Sequence, residues 1–509
     1  MPVSEHFRTP QLSRRSLLTA LALAPIAAVG CSSGSSAPAP TGSRPLPIPP
    51  LAAATVQDGV RRFTLRAGAG ETEMLPGKRT PTWGYNGTVL GPTLRARRGE
   101  SVAVTVNNTL PEMTTLHWHG MHVPPRMDGG PYQPIEPGGT WSPTWTINQQ
   151  AATLWYHPHP HGSTEKHVYR GLSGFFLLDD DAADGLDLPN DYGVDDIPLV
   201  IQDRRFTPDG ALDESDPTNA GLLGDTIVTN GIAHAHLNVR TSRLRLRILN
   251  GSSGRVYNLG FTDGREFQLI ATDGGLLAAP ITRNRIQVSP GERVEIVVRF
   301  DSNAPTTLHS FPIENRGTLP AAEATTFGFD DAFDILEIRP AEGMKSAAAL
   351  PSSLIPITRL ATPGTPVDHS FELQWFMINR ARMDMNRIDF TVQVDTTEVW
   401  TVRNVDNWPH NFHIHDVQFQ IIAIDGTPPP PELAGWKDTV FTPPGPTFTL
   451  AMRFTDHSDP SYPYMFHCHL LLHEDRGMMG QFLVLAPGQQ PAPAQMPMSG
   501  MGPGAMSHH

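Results

Sequence analysis

Apolar and polar residues alternate in short runs along this chain. Ser101–Asn108 reads S-V-A-V-T-V-N-N after the turn Arg98-Gly99-Glu100. Arg243–Asn250 reads R-L-R-L-R-I-L-N, and Glu398–Asn404 reads E-V-W-T-V-R-N. A period of two places successive side chains on opposite faces of a strand. Each run stops at an asparagine, and the runs lie about one domain of ~150 residues apart. The pattern predicts an all-β chain of three related β-sandwich modules, with little helix. Their bounds are set at 51–185, 186–345 and 346–488. An Asp-rich stretch running into Leu188-Pro189-Asn190 marks the first junction. The Ala/Ser/Pro/Thr-rich segment Ser346–Pro366 marks the second.

Composition supports this reading. Fifty prolines and 45 glycines in 509 residues favour turns and short strands, and a hydrophobic share of 39% allows a sizeable core. A formal net charge of −13 argues against nucleic acid as the partner and mildly favours cationic substrates.

The amino terminus reads as a targeting segment. Arg14-Arg15 precedes an apolar run, Leu17–Val29, too short to span a membrane as a stable helix. The run resembles a twin-arginine export signal, and Ala28-Val29-Gly30-Cys31 resembles a lipobox with lipid on the Cys31 sulfur. Residues 1–30 are therefore assigned to a signal and 31–50 to a flexible tether outside the fold. Only two cysteines occur, Cys31 and Cys468, which leaves no disulfide framework. Cys468 is then a lone thiol in an exported protein, and a metal gives it a use.

The candidate chemistry sits in four histidine clusters. They are His117-Trp118-His119, His157-Pro158-His159, His410-Asn411-Phe412-His413-Ile414-His415, and Phe466–Met478, which reads F-H-C-H-L-L-L-H-E-D-R-G-M. On a strand, His467 and His469 share one face and Cys468 points to the other. His473 and Met478 are far enough downstream to loop back to the Cys468 side. Two imidazoles, a thiolate and a weak thioether make a blue-type copper site. The flanking histidines would serve a second metal cluster, with Cys468–His467 and Cys468–His469 as short electron paths between the two. His-x-His puts two imidazoles on one strand face, about 7 Å apart.

On these motifs the chain resembles the three-domain multicopper oxidases of the laccase and bacterial copper-efflux group, over nearly all of residues 51–488. The resemblance implies three cupredoxin-like Greek-key β-sandwiches, a type 1 copper in the third, and a trinuclear cluster between the first and third. The middle module would be a spacer without copper. The implied type 1 ligands are His410, Cys468, His473 and axial Met478. The implied type 2 ligands are His117 and His413. One type 3 copper would take His119, His157 and His469, and the other His159, His415 and His467. Four coppers in all would pass electrons to dioxygen. His234-Ala235-His236 lacks partners and reads as structural. His122, His161 and His167 fall outside the ligand pattern. Asn411 stands where most members of the group have proline.

Asp128, in Met127-Asp128-Gly129-Gly130, and Glu474 match acidic residues that relay protons in the copper-efflux group. Asp406 matches an aspartate that binds substrate copper there, although Trp408 replaces the accompanying methionine. The Met-rich insert of that group is missing. The tail carries Met496, Met498, Met501, Met506, His508 and His509, which reads as a soft cuprous site or as a low-complexity end. Met377, Met383 and Met385 read as packing residues or pocket walls.

The expected function is the oxidation of cuprous or ferrous ion and phenols, coupled to reduction of dioxygen to water, in copper tolerance. A laccase or bilirubin-oxidase-like enzyme for organic phenols and pigments is the alternative. A non-catalytic relative that binds a partner is the third reading. The expected setting is extracytoplasmic, as a monomer touching the membrane only through a lipid at Cys31.

Overall fold

The computed structural model describes residues 43–215 and 218–492. The signal, Cys31 and the Met/His tail from residue 493 lie outside the described residues. Strands dominate, and every helix is short.

The three alternating runs are strands where the pattern places them: Ser101–Asn108, Arg243–Asn250, and Glu398–Asn404 within Thr396–Asn404. Each takes a parallel partner from earlier in the chain. Val60–Ala67 runs beside Ser101–Asn108, Asp196–Ile201 beside Arg245–Asn250, and His369–Leu373 beside Trp400–Asn404. Each also takes an antiparallel partner from later in the chain.

The closing asparagines do one job three times. Asn108 Nδ2 donates to Glu112 O and Ile135 O, Asn250 Nδ2 to Arg255 O and Val288 O, and Asn404 Nδ2 to Trp408 O and Thr442 O. Each Oδ1 accepts the N–H two residues on, from Leu110, Ser252 and Asp406. An Asx turn of this kind ends a strand and ties its exit loop to a neighbour. The repeat in the sequence is thus a repeat in hydrogen bonding.

The sheets form three face-packed pairs. Residues 55–179 build six- and four-stranded sheets, 196–345 together with Arg44–Pro45 build seven- and six-stranded sheets, and 369–485 build six- and five-stranded sheets. Leu65, Val104, Leu154 and Phe176 fill the first core, Leu246, Ile248, Leu269 and Ile296 the second, and Trp400, Leu450, Phe466 and Phe482 the third.

One expectation is corrected. Residues 43–50 are packed, not a free tether. Arg44–Pro45 pairs in parallel with Ala235–His236, and Leu46 is buried in the core of the second pair. Proline lacks one donor, but Arg44 N and Leu46 N still bond to His234 O (3.1 Å) and His236 O (2.7 Å), so an edge strand forms despite the Pro-rich sequence.

Candidate metal centre

The fourth cluster divides as its spacing predicts. Strand Tyr464–His467 runs antiparallel to Met479–Leu485, with His467 opposite Met479. It also lies beside His410–Ile414, with His413 opposite His467. Beyond it, Leu471–Asp475 forms one helical turn that returns His473 to the Cys468 side.

On that side three donor atoms form a triangle. His410 Nδ1 and His473 Nδ1 are 3.1 Å apart, and Cys468 Sγ is 3.7 and 3.6 Å from them. The opposite ring nitrogens are held: His410 Nε2 donates to Asp406 Oδ2 (3.2 Å) and His473 Nε2 to Asn219 O (3.2 Å). Both Nδ1 lone pairs therefore face each other. Met478 is fully buried in the same core cluster as Cys468. Burial pushes the Cys468 thiol up to about 12 and the His473 imidazole down to about 3. Without a cation the pocket would hold a neutral thiol and a neutral His473 ring.

The other face gathers eight imidazoles from two modules. His117–His119 and Ala152–His157 form one antiparallel pair, with His157 opposite His117. From the third module come His413, His415, His467 and His469. His119 stacks on His413 at 3.8 Å between ring centroids, and His117 on His415 at 3.9 Å.

Most of these rings have one nitrogen committed outward. Nδ1–H donates from His117 to Asp128 O (3.0 Å), from His413 to Asp438 O (2.8 Å), from His157 to Pro158 O (2.8 Å), from His467 to Cys468 O (3.1 Å), and from His415 to Asp128 Oδ2 (2.7 Å). His119 reverses the pattern: its Nε2 donates to Asp438 Oδ1 (2.9 Å), leaving Nδ1 free. The remaining nitrogens point inward. His117 Nε2, His413 Nε2 and His119 Nδ1 are buried without a hydrogen-bond partner. His159 Nε2 and His415 Nε2 each lie 3.2 Å from His467 Nε2, and His157 Nε2 lies 3.4 Å from His469 Nε2.

Bare lone pairs this close repel unless a cation stands between them. Protonation does not relieve them, because burial and the neighbouring rings push His119, His157, His159, His413 and His467 well below the usual imidazole range. Orphaned buried nitrogens with outward partners fixed are what imidazole-bound copper requires. The donor set therefore fits copper on both faces.

The acidic residues take definite places. Asp128 is buried against His415 and His117; burial raises its carboxyl, but those two rings more than offset that and hold it below the usual range. Glu474 is buried, accepts from Thr164 Oγ1 (2.6 Å), and lies 3.3 Å from both His159 Nδ1 and His467 Nδ1. Burial, then Asp475, pushes its carboxyl well above the usual value. Asp406 does not face solvent. Its oxygens accept from Trp375 N, Trp408 N and His410 Nε2, and its side chain is 1% exposed.

Several contributors escaped the sequence reading. Asp438 holds His119 and also pairs with the fully buried Arg293 of the second module, at 2.8 and 2.5 Å. Gly120, at φ 83°, leaves room for that pair, since a Cβ there would collide with the Asp438 carboxylate and come within 2.8 Å of Arg293 Nη2. Asn411 donates to Pro290 O (2.8 Å) and accepts from His469 N (2.5 Å), which ties the second module to the Cys468–His469 link. The only advance signal was the departure from proline at Asn411.

Other histidines stay structural. His236 Nδ1 bonds Ser43 Oγ at 2.8 Å, His167 bonds Glu112 and Thr114, and His122 sits between Asp416 and Asp456. Met383 and Met385 pack against Tyr132, Met465 and Met479.

Comparison with known proteins agrees with this chemistry. Family models described as multicopper oxidase match residues 66–183, 205–326 and 358–488. Multicopper oxidase mco of Staphylococcus haemolyticus is 35% identical over 435 residues, covering 84% of this chain and 89% of that one. Cell division protein FtsP of Escherichia coli is 35% identical over 451 residues, covering 87% and 93%. The crystal structure of a laccase from Pediococcus acidilactici superposes with a TM-score of 0.80 at 35% identity, covering 88% of this chain and 95% of that one. The chain belongs to the multicopper oxidase family as a three-domain, cupredoxin-like member, a copper-dependent oxidoreductase with dioxygen as its acceptor.

Proposed function

We propose that this oxidase takes electrons from phenols and other aromatic donors at His473 and delivers them to dioxygen at the histidine cluster. The observation that carries this reading is the aromatic wall around His473. Phe376, Trp408 and Phe327 have ring centroids 5.3, 5.9 and 6.2 Å from its imidazole. Flat apolar rings favour a flat organic donor, whereas a cuprous ion needs thioether or thiolate ligands. Asp406, which such an ion would need, is spent on two backbone N–H groups and His410.

In this reading His410, Cys468 and His473, with Met478 beside them, would hold the type 1 copper. His117 and His413 would hold the type 2 copper, His119, His157 and His469 one type 3 copper, and His159, His415 and His467 the other. Bound copper supplies one-electron storage and the four-electron reduction of dioxygen to water. The chain's own groups hold geometry and move protons. Asp406 and Asn219 O fix the two type 1 imidazoles by their Nε2 hydrogens. Asp128 and Asp438 fix His415 and His119. Glu474, a buried carboxyl held by Thr164 beside His159 and His467, would pass protons to that cluster. Asp475, on the same helical turn, accepts from Thr164 N (2.8 Å) and Glu165 N (2.9 Å) and extends the polar path outward.

Oxidation of cuprous or ferrous ion in copper tolerance is the second reading, supported by the soft residues Met496, Met498 and Met501 in the tail. Export fits the amino-terminal sequence. No helix among the described residues is long and apolar enough to cross a membrane.

The test is oxygen consumption by the copper-loaded protein with a phenol, cuprous ion and ferrous ion, with and without residues 493–509. Dominant phenol turnover that ignores the tail supports the aromatic reading. Dominant cuprous turnover that falls on tail removal replaces it with the second.

A further inference from the structure

The aromatic wall is bordered by two cations. Arg382 Cζ lies 5.9 Å from the Phe376 ring centroid and Arg476 Cζ lies 6.0 Å from the same centroid. Phe376 in turn packs on His473. Both arginines are exposed, and neither has an ion pair among the described residues. Asp475, the acidic neighbour of Arg476, feels its charge but forms no direct ion pair with it. Asp475 accepts from Thr164 N and Glu165 N, and Asp384 Oδ1 accepts from Asn386 N at 2.9 Å.

The backbone brings the two together. Gly477 follows Arg476 at φ 93°, and Met383 N donates to Gly477 O at 2.8 Å. A Cβ on Gly477 would stand 3.3 Å from Arg382 Cβ, so the missing side chain lets the Arg382 segment lie against the turn that carries Arg476. Beside them Trp375 leaves 54% of its surface exposed. Two guanidinium groups without a direct ion pair thus lie within 6.0 Å of one phenyl ring, with an exposed indole at the adjacent residue, and such groups suit a planar anion. This placement stands out in a chain of net charge −13.

We propose that Arg382 and Arg476 form an anion clamp that selects aromatic donors bearing a carboxylate or sulfonate at the surface over Phe376, the ring that packs on the buried His473. The inference rests on the aromatic-donor reading above. The clamp holds the anionic group while the ring lies against Trp375 and Phe376. Each donor gives up one electron, and a phenol also releases its hydroxyl proton to solvent. Four electrons with four protons turn one dioxygen into two waters.

The test compares a phenol carrying a sulfonate with the same phenol lacking it, in the copper-loaded wild type and in the double variant Arg382→Gln/Arg476→Gln. Two exposed charge contacts together are worth about a fivefold change. The ratio of kcat/KM for the anionic to the neutral phenol is expected to fall by about that factor, through KM, and to lose its dependence on salt. A redox-inert naphthalenesulfonate, followed by tryptophan fluorescence, is expected to bind more weakly by the same factor. Arg240→Gln, an exposed arginine on the second module, is the control for net charge. An unchanged ratio with unchanged naphthalenesulfonate binding overturns the clamp. So does an equal shift in the Arg240 variant. Phenol turnover without charge discrimination in the wild type removes the clamp alone, whereas no turnover of either phenol removes the aromatic reading with it.

Discussion

Replacing Arg293 by methionine is the sharpest probe of how the modules hold the histidine cluster. Arg293 is fully buried and every donor of its guanidinium is placed. Nε donates to Thr153 O (2.9 Å), Nη1 to Gly291 O (2.9 Å) and Asp438 Oδ1 (2.8 Å), and Nη2 to Asp273 O (3.1 Å) and Asp438 Oδ2 (2.5 Å). Thr153 belongs to the first module, Asp273 and Gly291 to the second, and Asp438 to the third. Methionine fills much of the volume but leaves the Asp438 carboxylate buried without its cation. Breaking a buried pair from one side costs about 3–5 kcal/mol. Asp438 also orients His119, and loss of such an outer partner weakens metal binding by about 10–100-fold. The assay is denaturant unfolding of the metal-free protein, with copper counted after dialysis. Arg293→Lys keeps the charge but not the fork, and is expected to recover less than half of the loss. A double-mutant cycle with Asp438→Asn should return a coupling of about 2 kcal/mol or more. An Arg293→Met protein within about 0.5 kcal/mol of wild type that binds its full copper would refute this account.

Three further outcomes follow from the same contacts. Cys468→Ser should lose the blue absorption and oxidase turnover while keeping the far-ultraviolet dichroism of the wild type, because the serine is only slightly smaller than the cysteine and leaves little void; retained turnover would sink the type 1 assignment. Asn411→Ala should lower stability by about 2 kcal/mol, since His469 N and Pro290 O lose their partners, and should shift the type 1 absorption because His469 follows Cys468; an unshifted band would mean that the amide does not set that link. His122, whose burial is outweighed by Asp416 and then Asp456, is raised to about 10. Its ion pairs across the first and third modules therefore contribute fully below the unfolded value of about 6.5 and fade as pH rises through about 10. With Asp456 half exposed and His457 stacked on the ring, His122→Ala should cost about 1.5–3 kcal/mol at pH 7 and nothing at pH 11. A loss independent of pH would show that packing, not charge, is what matters there.

The legible features were those written in short spacings. His-x-His on a strand, Cys468 between His467 and His469, and the threefold alternating strands each need only a period of two to be read. The asparagines closing those strands were visible as a pattern, and the structure gives them a shared set of hydrogen bonds. The helical turn Leu471–Asp475 was not legible, because five residues without a capping side chain make no periodic signal. Nor was the Arg293–Asp438 pair, whose members are 145 residues apart, or the His119–Asp438 contact across 319 residues. The contact of Asp406 with the Trp375 backbone, reached only by tertiary folding, was not legible either.

These long-range contacts change the part played by the second module. The resemblance casts it as a spacer, and in the ligand reading it supplies no donor atom to either face. Yet Arg293 anchors Asp438 behind His119, and Ser289–Pro290 receives the Asn411 amide beside Cys468. Asn219 O fixes the His473 ring, and Phe327 forms part of the wall above it. The first and third modules carry the histidines, but their rings are oriented by carbonyls, an amide and a guanidinium from the module between them. A substitution in the second module can therefore alter copper occupancy and donor access without touching a ligand, and Arg293→Met should show this most strongly because its side chain bonds to groups of all three modules.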